Sequence, residues 1–346
     1  MEATRKDSLR SLATWALVII IIAGLKLSRE LVVPIVFAAF LAILCLPVVT
    51  LLRRRGLPAW LAIVLTLVLM IGLVGLVGVV VVDSMSEFAR DLPAYQARLD
   101  GMIADLRLWL EKRGVELSPP KEPEALDFKV IFGYARTVAG TAVNAFSAVA
   151  LVLLMSIFML FESVGLPNKL RRTMGDPDAD LSQGHEILKQ VYGYVGVKTV
   201  ISAMTGLLFG IALTIIGVPN AVLWGFLAFI LNYIPNIGSV LSAIPPILVG
   251  LAAGGMSMAL GALAANVVIN QVIGNVIEPK VTGDRLGLSA LVVFLSLVFW
   301  SWLWGPVGMF LSVPLTMVVK ILLENSGDLK RWADLLGPAG DPEPVS

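Results

Sequence analysis

Besides Asn220 in a turn, six carboxamide side chains, Asn232, Asn236, Asn266, Asn270, Gln271 and Asn275, stand within residues 199–277, a stretch with no Asp, Glu, Lys, Arg or His, and Glu278 closes it. An amide carries donors and acceptors without charge, so it can bond a polar solute without the desolvation cost of an ion. A carboxylate at the end of the series adds a group that can titrate or hold a cation. At about 100° per residue, Gln271, Asn275 and Glu278 share one helical face and Asn266 and Asn270 another. One face can line a path while the other bonds to a neighbouring helix. Two interruptions accompany these groups: Ile234-Pro235-Asn236-Ile237-Gly238 and Trp304-Gly305-Pro306. Proline removes a helical hydrogen bond and glycine admits a tight turn, so each site can open a helix and free main-chain groups. This is chemistry of binding and passage, not of bond making.

Parts for catalysis are missing. There is no HExxH, no GxSxG, no Walker-type GxxxxGK[ST], and no pair of carboxylates within an apolar stretch. The chain is therefore not expected to be an enzyme, and ATP is not its driving force. His185 is the only histidine and Cys45 the only cysteine, so histidine zinc sites, haem ligation and intrachain disulfides are excluded. His185 reads as a loop residue, and Cys45 as a small buried hydrophobe.

The elements that position these groups follow from composition. Of 346 residues, 58% are hydrophobic and 15% charged, with net charge +1; soluble domains carry roughly 25% charged residues. No basic surface argues for nucleic acid. Six stretches lack charge and histidine altogether: 11–25, 31–52, 56–82, 137–161, 199–277 and 286–319. About 20 apolar residues cross the hydrocarbon layer as a helix, and none of these runs alternates as a barrel strand would. The first four each hold one span. Gly217-Val218-Pro219-Asn220 and Gly254-Gly255 divide the fifth into 199–217, 221–252 and 256–277. The first run, with no small-residue cleavage site after it, is expected to stay as an anchor. The fold class is all-α: a polytopic membrane protein of about eight hydrophobic segments, two of them re-entrant or broken.

Runs 221–252 and 286–319 are too long for one upright span. As hairpins they would be inverted relative to each other, with both tips near the midplane, the arrangement that marks a transporter's site. As kinked spans they would give eight crossings. The two alternatives put Lys280 and Arg285 on opposite sides of the membrane. Arg5, Lys6 and Arg10, then Arg53 to Arg55, then Lys169, Arg171 and Arg172 fall on one side by alternation, with Lys320, Lys330 and Arg331 at the C-terminus. Lys and Arg mark the cytoplasm, so both termini are expected there, and Lys26 and Arg29 are exceptions outside. The expected divisions are membrane helices in 1–82, an extracytoplasmic helical insert in 83–135, a transport core in 136–325 and a cytoplasmic tail in 326–346. In the insert, Phe88, Leu92, Tyr95, Leu99, Met102, Leu106 and Trp109 alternate spacings of four and three, an amphipathic stripe that seeks a partner helix or the headgroups. Ser118 to Pro123 ends it. Small residues at contact spacing, Gly206 with Gly210 and Gly72 through Gly78, suit close helix packing.

Residues 278–288 (EPKVTGDRLGL) and 305–315 (GPVGMFLSVPL), with 224–238 (WGFLAFILNYIPNIG) and 244–251 (IPPILVGL), resemble the characteristic stretches of the autoinducer-2 exporter family of bacterial membrane proteins. The order of segments is similar too, over about residues 10–325. The resemblance implies an inner-membrane permease of eight hydrophobic segments that assembles as a homo-oligomer. It implies export of autoinducer-2 in some members and sodium or lithium exchange for protons in others. Pro235, Asn236, Gly238, Glu278, Pro279, Lys280, Gly283, Gly287, Gly305, Gly308 and Pro314 fit the family strings.

Together these readings predict a secondary transporter working by alternating access. Its solute would meet Asn232, Pro235, Asn236, Gly238, Asn270, Gln271, Asn275, Glu278, Gly305 and Pro306. No cofactor is expected, only a coupling ion, Na+ or H+. The alternatives are a Na+(Li+)/H+ antiporter using Glu278, and a membrane scaffold working through the insert.

Overall fold

The computed structural model describes residues 16–113, 150–163, 165–166, 169, 171–173, 182–235, 237–282, 287–326 and 330–337. The described elements are helical: α1 (Ala16–Leu27), α2 (Arg29–Arg54), α3 (Ala59–Glu111), α4 (Ala150–Ser163), α5 (Ser182–Ile216), α6 (Ala221–Leu231), α7 (Ile237–Val272), α8 (Glu278–Thr282), α9 (Ala290–Glu324) and α10 (Lys330–Leu336). A π-turn, Ile273–Ile277, joins α7 to α8. Among the described residues, five helices are long and apolar enough to cross a membrane: Arg29–Arg54, Ala59–Glu111, Leu188–Ile216, Ile237–Val281 and Ala290–Glu324. The chain forms two compact units. One comprises Met1–Leu67, Ala150–Val195 and Asp284–Ser346, the other Val68–Val149 and Gly196–Gly283.

In the first unit, α2 ends on Arg53 and Arg54, cations placed favourably at the negative end of a helix dipole. Ser156 of α4 donates to Ala38 O of α2 at 3.0 Å. Helix α9 is interrupted at Gly305, with φ 67° and ψ −144°, a conformation that disfavours any side chain. Beyond it the chain turns back. Trp300 Nε1 donates to Thr316 Oγ1 at 2.9 Å, whereas sixteen residues of straight helix would span about 24 Å. At the open end, a Cβ on Gly287 would lie 2.8 Å from Lys320 Nζ, so both ends of α9 lie together. Helix α10 packs there, with its Ala333 fully buried and Ser289 N–H donating to Leu336 O at 3.0 Å.

The turn of this hairpin packs against the end of α1 and the start of α2. Trp304 Nε1 donates to Leu25 O at 3.2 Å, and Trp300, Leu303 and Trp304 pack with Leu25, Val32, Val33 and Val36, close to the Arg29 end of α2. Residues 290–304 and 306–324 extend about 22 and 28 Å at 1.5 Å per residue, lengths comparable with the roughly 30 Å hydrocarbon layer.

The second unit gathers around α5, α6 and α7. A Cβ on Gly206 would fall 2.6 Å from Gly225 O, so α5 and α6 cross with their backbones nearly touching, as small residues permit. At Gly72, Gly75 and Gly78 a Cβ would meet nothing within 4 Å among the described residues. Helix α7 breaks at Gly255, with φ 74° and ψ −163°, and a Cβ on Gly250 would lie 3.4 Å from Met258. The limb after the break therefore folds back along the limb before it.

Helix α3 runs across the expected division between 82 and 83. It runs for 53 residues without interruption through positions 82 and 83, about 80 Å of helix, so the third span and the start of the insert are one rod. Phe88, Leu92, Tyr95 and Leu99 pack on the core formed by Phe209, Leu213, Trp224, Val249 and Ala252, with Phe88 set edge-on to Trp224 at 5.2 Å. The rest of the stripe, Met102, Leu106 and Trp109, is exposed. The break expected at Ser118 to Pro123 lies outside the described residues.

Candidate functional site

The interruption after α6 is a tight turn. Ile234 N–H donates to Leu231 O at 2.8 Å, Ile237 N–H to Pro235 O at 2.6 Å and Gly238 N–H to Ile234 O at 3.2 Å. A Cβ on Gly238 would fall 1.8 Å from Leu231 O, so only glycine lets α7 start this close to the end of α6. The turn presents Asn232 and Tyr233 towards α5. Asn232 Nδ2 donates to Ser202 Oγ at 3.0 Å, and Tyr233 Oη to Thr199 Oγ1 at 2.7 Å.

Directly before Thr199 stands Lys198, the residue that a charge-free reading of 199–277 passes over. Its ammonium pairs with the Glu278 carboxylate at 2.5 Å, with the lysine side chain 7% exposed and the glutamate 29%. Lys198, Thr199 and Ser202 occupy about 100° of one helix. They form a polar stripe that meets the α6–α7 turn and the start of α8. A buried ammonium is tolerated only when paired, and Glu278 supplies the pairing. The available sequence signal was a lone lysine at the head of an apolar run, with Thr199 beside it and Ser202 one turn on.

Other expected residues behave differently. Asn270 donates to both the backbone and the side-chain oxygen of Asn266 at 2.8 Å, and Asn275 donates to Gln271 one turn back. These amides satisfy each other along their own helix. Glu278 instead pairs with Lys198, and the π-turn Ile273–Ile277 interrupts the α-helical register between it and Gln271. Pro279, which lacks an N–H, follows at once and leaves a carbonyl of that turn without its usual donor. Gly305 and Pro306 belong to the other unit, where the turn is packed in tryptophan, leucine and valine. Asn236 and Gly283, and the side chain of His185, lie outside the described residues. Among the described residues no cluster of three or more His, Cys, Asp or Glu could hold a metal ion.

The arrangement holds hydroxyl, amide, ammonium and carboxylate groups around an opened helix. Comparison with known proteins bears on its use. The AI-2E family transporter model matches residues 15–327. A Haemophilus influenzae protein named "Putative transport protein" is 40% identical over 338 residues, covering 96% of this chain and 97% of its own. The Escherichia coli protein named "AI-2 transport protein TqsA" is 37% identical over 330 residues, covering 95% and 96%. With the match reaching almost end to end, the chain belongs to the AI-2E family of membrane transporters.

Proposed function

We propose that this protein exports a small polar solute of the autoinducer-2 type across the bacterial inner membrane by secondary transport, with both termini cytoplasmic. The observation that carries the reading is the polar stripe of α5 meeting the α6–α7 turn through Asn232–Ser202 and Tyr233–Thr199. Such groups lie among apolar helices only at a free-energy cost. A role in holding a polar passenger accounts for the cost, and interrupted helices are where transporters bind. The relationship to a protein named for autoinducer-2 transport supports the solute class. Asn232, Pro235 and Gly238 shape the turn, and Asn270, Gln271, Asn275 and Glu278 follow on the helix that returns to it.

The test is flux in proteoliposomes loaded with autoinducer-2. Asn232→Leu removes both polar ends of the amide at nearly constant volume, and the initial rate is expected to fall about tenfold, on the order of the 1–2 kcal/mol of a buried hydrogen bond. An unchanged rate in a folded variant sinks the assignment. A Na+(Li+)/H+ antiporter is the second reading, favoured by the part-exposed Glu278 carboxylate. Glu278→Gln separates the two: loss of pH-dependent sodium efflux with solute export retained favours the exporter.

A further inference from the structure

The two partners of the Lys198–Glu278 pair are not equivalent. Lys198 sits in regular helix near the middle of α5, and its side chain is 7% exposed. Glu278 is 29% exposed and follows a π-turn and precedes a proline, the two commonest sources of local give in a helix. When the pair opens, the carboxylate can turn into water, while the ammonium stays where it is. A buried ammonium left alone is strongly unfavourable, so opening the pair creates a vacancy for one negative charge. The hydrogen-bonding groups of Ser202, Thr199, Tyr233 and Asn232 stand on the same stripe and the turn it meets.

Resting on the secondary-transport reading above, and adding to it a second, acidic class of solute, we propose that Lys198 is the anion-binding residue for such a solute and that Glu278 is its internal surrogate. The carboxylate occupies Lys198 in the empty site and yields to the acid group of an incoming solute. The chemical class is a small hydroxylated monocarboxylate. A single ammonium balances a single charge, since a dianion would leave one charge uncompensated in a low dielectric. The group to be replaced is itself a carboxylate. Hydroxyls on the solute would meet the hydroxyl and amide groups beside it. No bond is made or broken; one ion pair is exchanged for another of the same charge.

The experiment uses glycerate and its neutral amide, glyceramide, as matched probes, with binding read in detergent as ligand-dependent thermal stabilisation of the full chain. Glycerate is expected to stabilise the wild type and glyceramide much less. In Glu278→Gln the competing carboxylate is gone, so the half-saturating glycerate concentration falls at least tenfold. In Lys198→Gln, glycerate stabilisation disappears. Should that variant not fold, the Lys198→Gln/Glu278→Gln double variant removes both charges and is also expected to ignore glycerate. A glycerate curve unchanged by Glu278→Gln, or retained in either variant lacking Lys198, overturns the proposal and leaves the pair as a staple between α5 and α8. Flux is a separate readout. Wild-type vesicles that move no solute would defeat the transport reading, while the binding curves would still decide the role of Lys198.

Discussion

At Gly238 the space for a side chain is already taken by a carbonyl oxygen, 1.8 Å from where its Cβ would be. Backbone oxygens cannot rotate aside, so Gly238→Ala must prise α6 from α7. We expect a loss of about 3 kcal/mol or more, the scale of severe overpacking. Gly255 has nothing within 4 Å and only a positive φ of 74° against it, so Gly255→Ala is expected to lose about 1–2 kcal/mol. Thermal unfolding in one detergent checks the order, and equal losses would contradict the turn geometry. Residue types alone flagged Pro235 and Gly238 as a break and Asn232 as its polar neighbour. They did not flag Lys198, because a charge at the edge of an apolar run looks like the end of a span. Its burial depends on where α5 begins and on Glu278, eighty residues away.

Among the elements, α9 carries the clearest topological consequence. Its two ends meet at Gly287 and Lys320, and its turn lies beside Leu25 and under Lys26, which stacks on Trp302 at 3.6 Å. In a Cys45→Ala background, Ala290→Cys and Asn325→Cys are therefore expected to react with a membrane-impermeant maleimide from one side of the membrane, and Lys26→Cys from the other. Opposite sidedness for positions 290 and 325 would mean a single kinked crossing. The sequence located this interruption at Gly305 but left hairpin and kink equally open. Proline and glycine state where a helix can break, not through what angle. The angle is set by contacts such as Trp300 with Thr316. Asn266 with Asn270 and Gln271 with Asn275 do share faces, each pair bonded one turn apart, but constant 100° spacing does not carry across the π-turn to Glu278.

For the whole molecule, the surroundings of a surface change along one rod. Leu69 and Leu108 both lie on α3 and are 61% and 55% exposed, yet the first stands in a charge-free run and the second among Asp105, Arg107 and Glu111. Leu69→Arg is expected to oppose insertion by about 2.5–3.5 kcal/mol, if it sits at mid-membrane, and to lower the yield of membrane-inserted protein sharply. Leu108→Arg is expected to stay within about 0.5 kcal/mol of neutral. Quantifying both variants in washed membranes tests this, and equal yields would place both positions in the same medium. Composition and run length by themselves determined that the chain is an all-helical membrane protein, its prolines and glycines roughly where its helices are interrupted, and the resemblance of four stretches which transporter family it is tied to. These are properties of local sequence and of its transfer between water and lipid. Tertiary structure decided that the third span continues as a rod of 53 residues, that α9 doubles back at Gly305, and that Lys198 finds Glu278. Each of those depends on contacts between residues far apart in the chain, which no local pattern records.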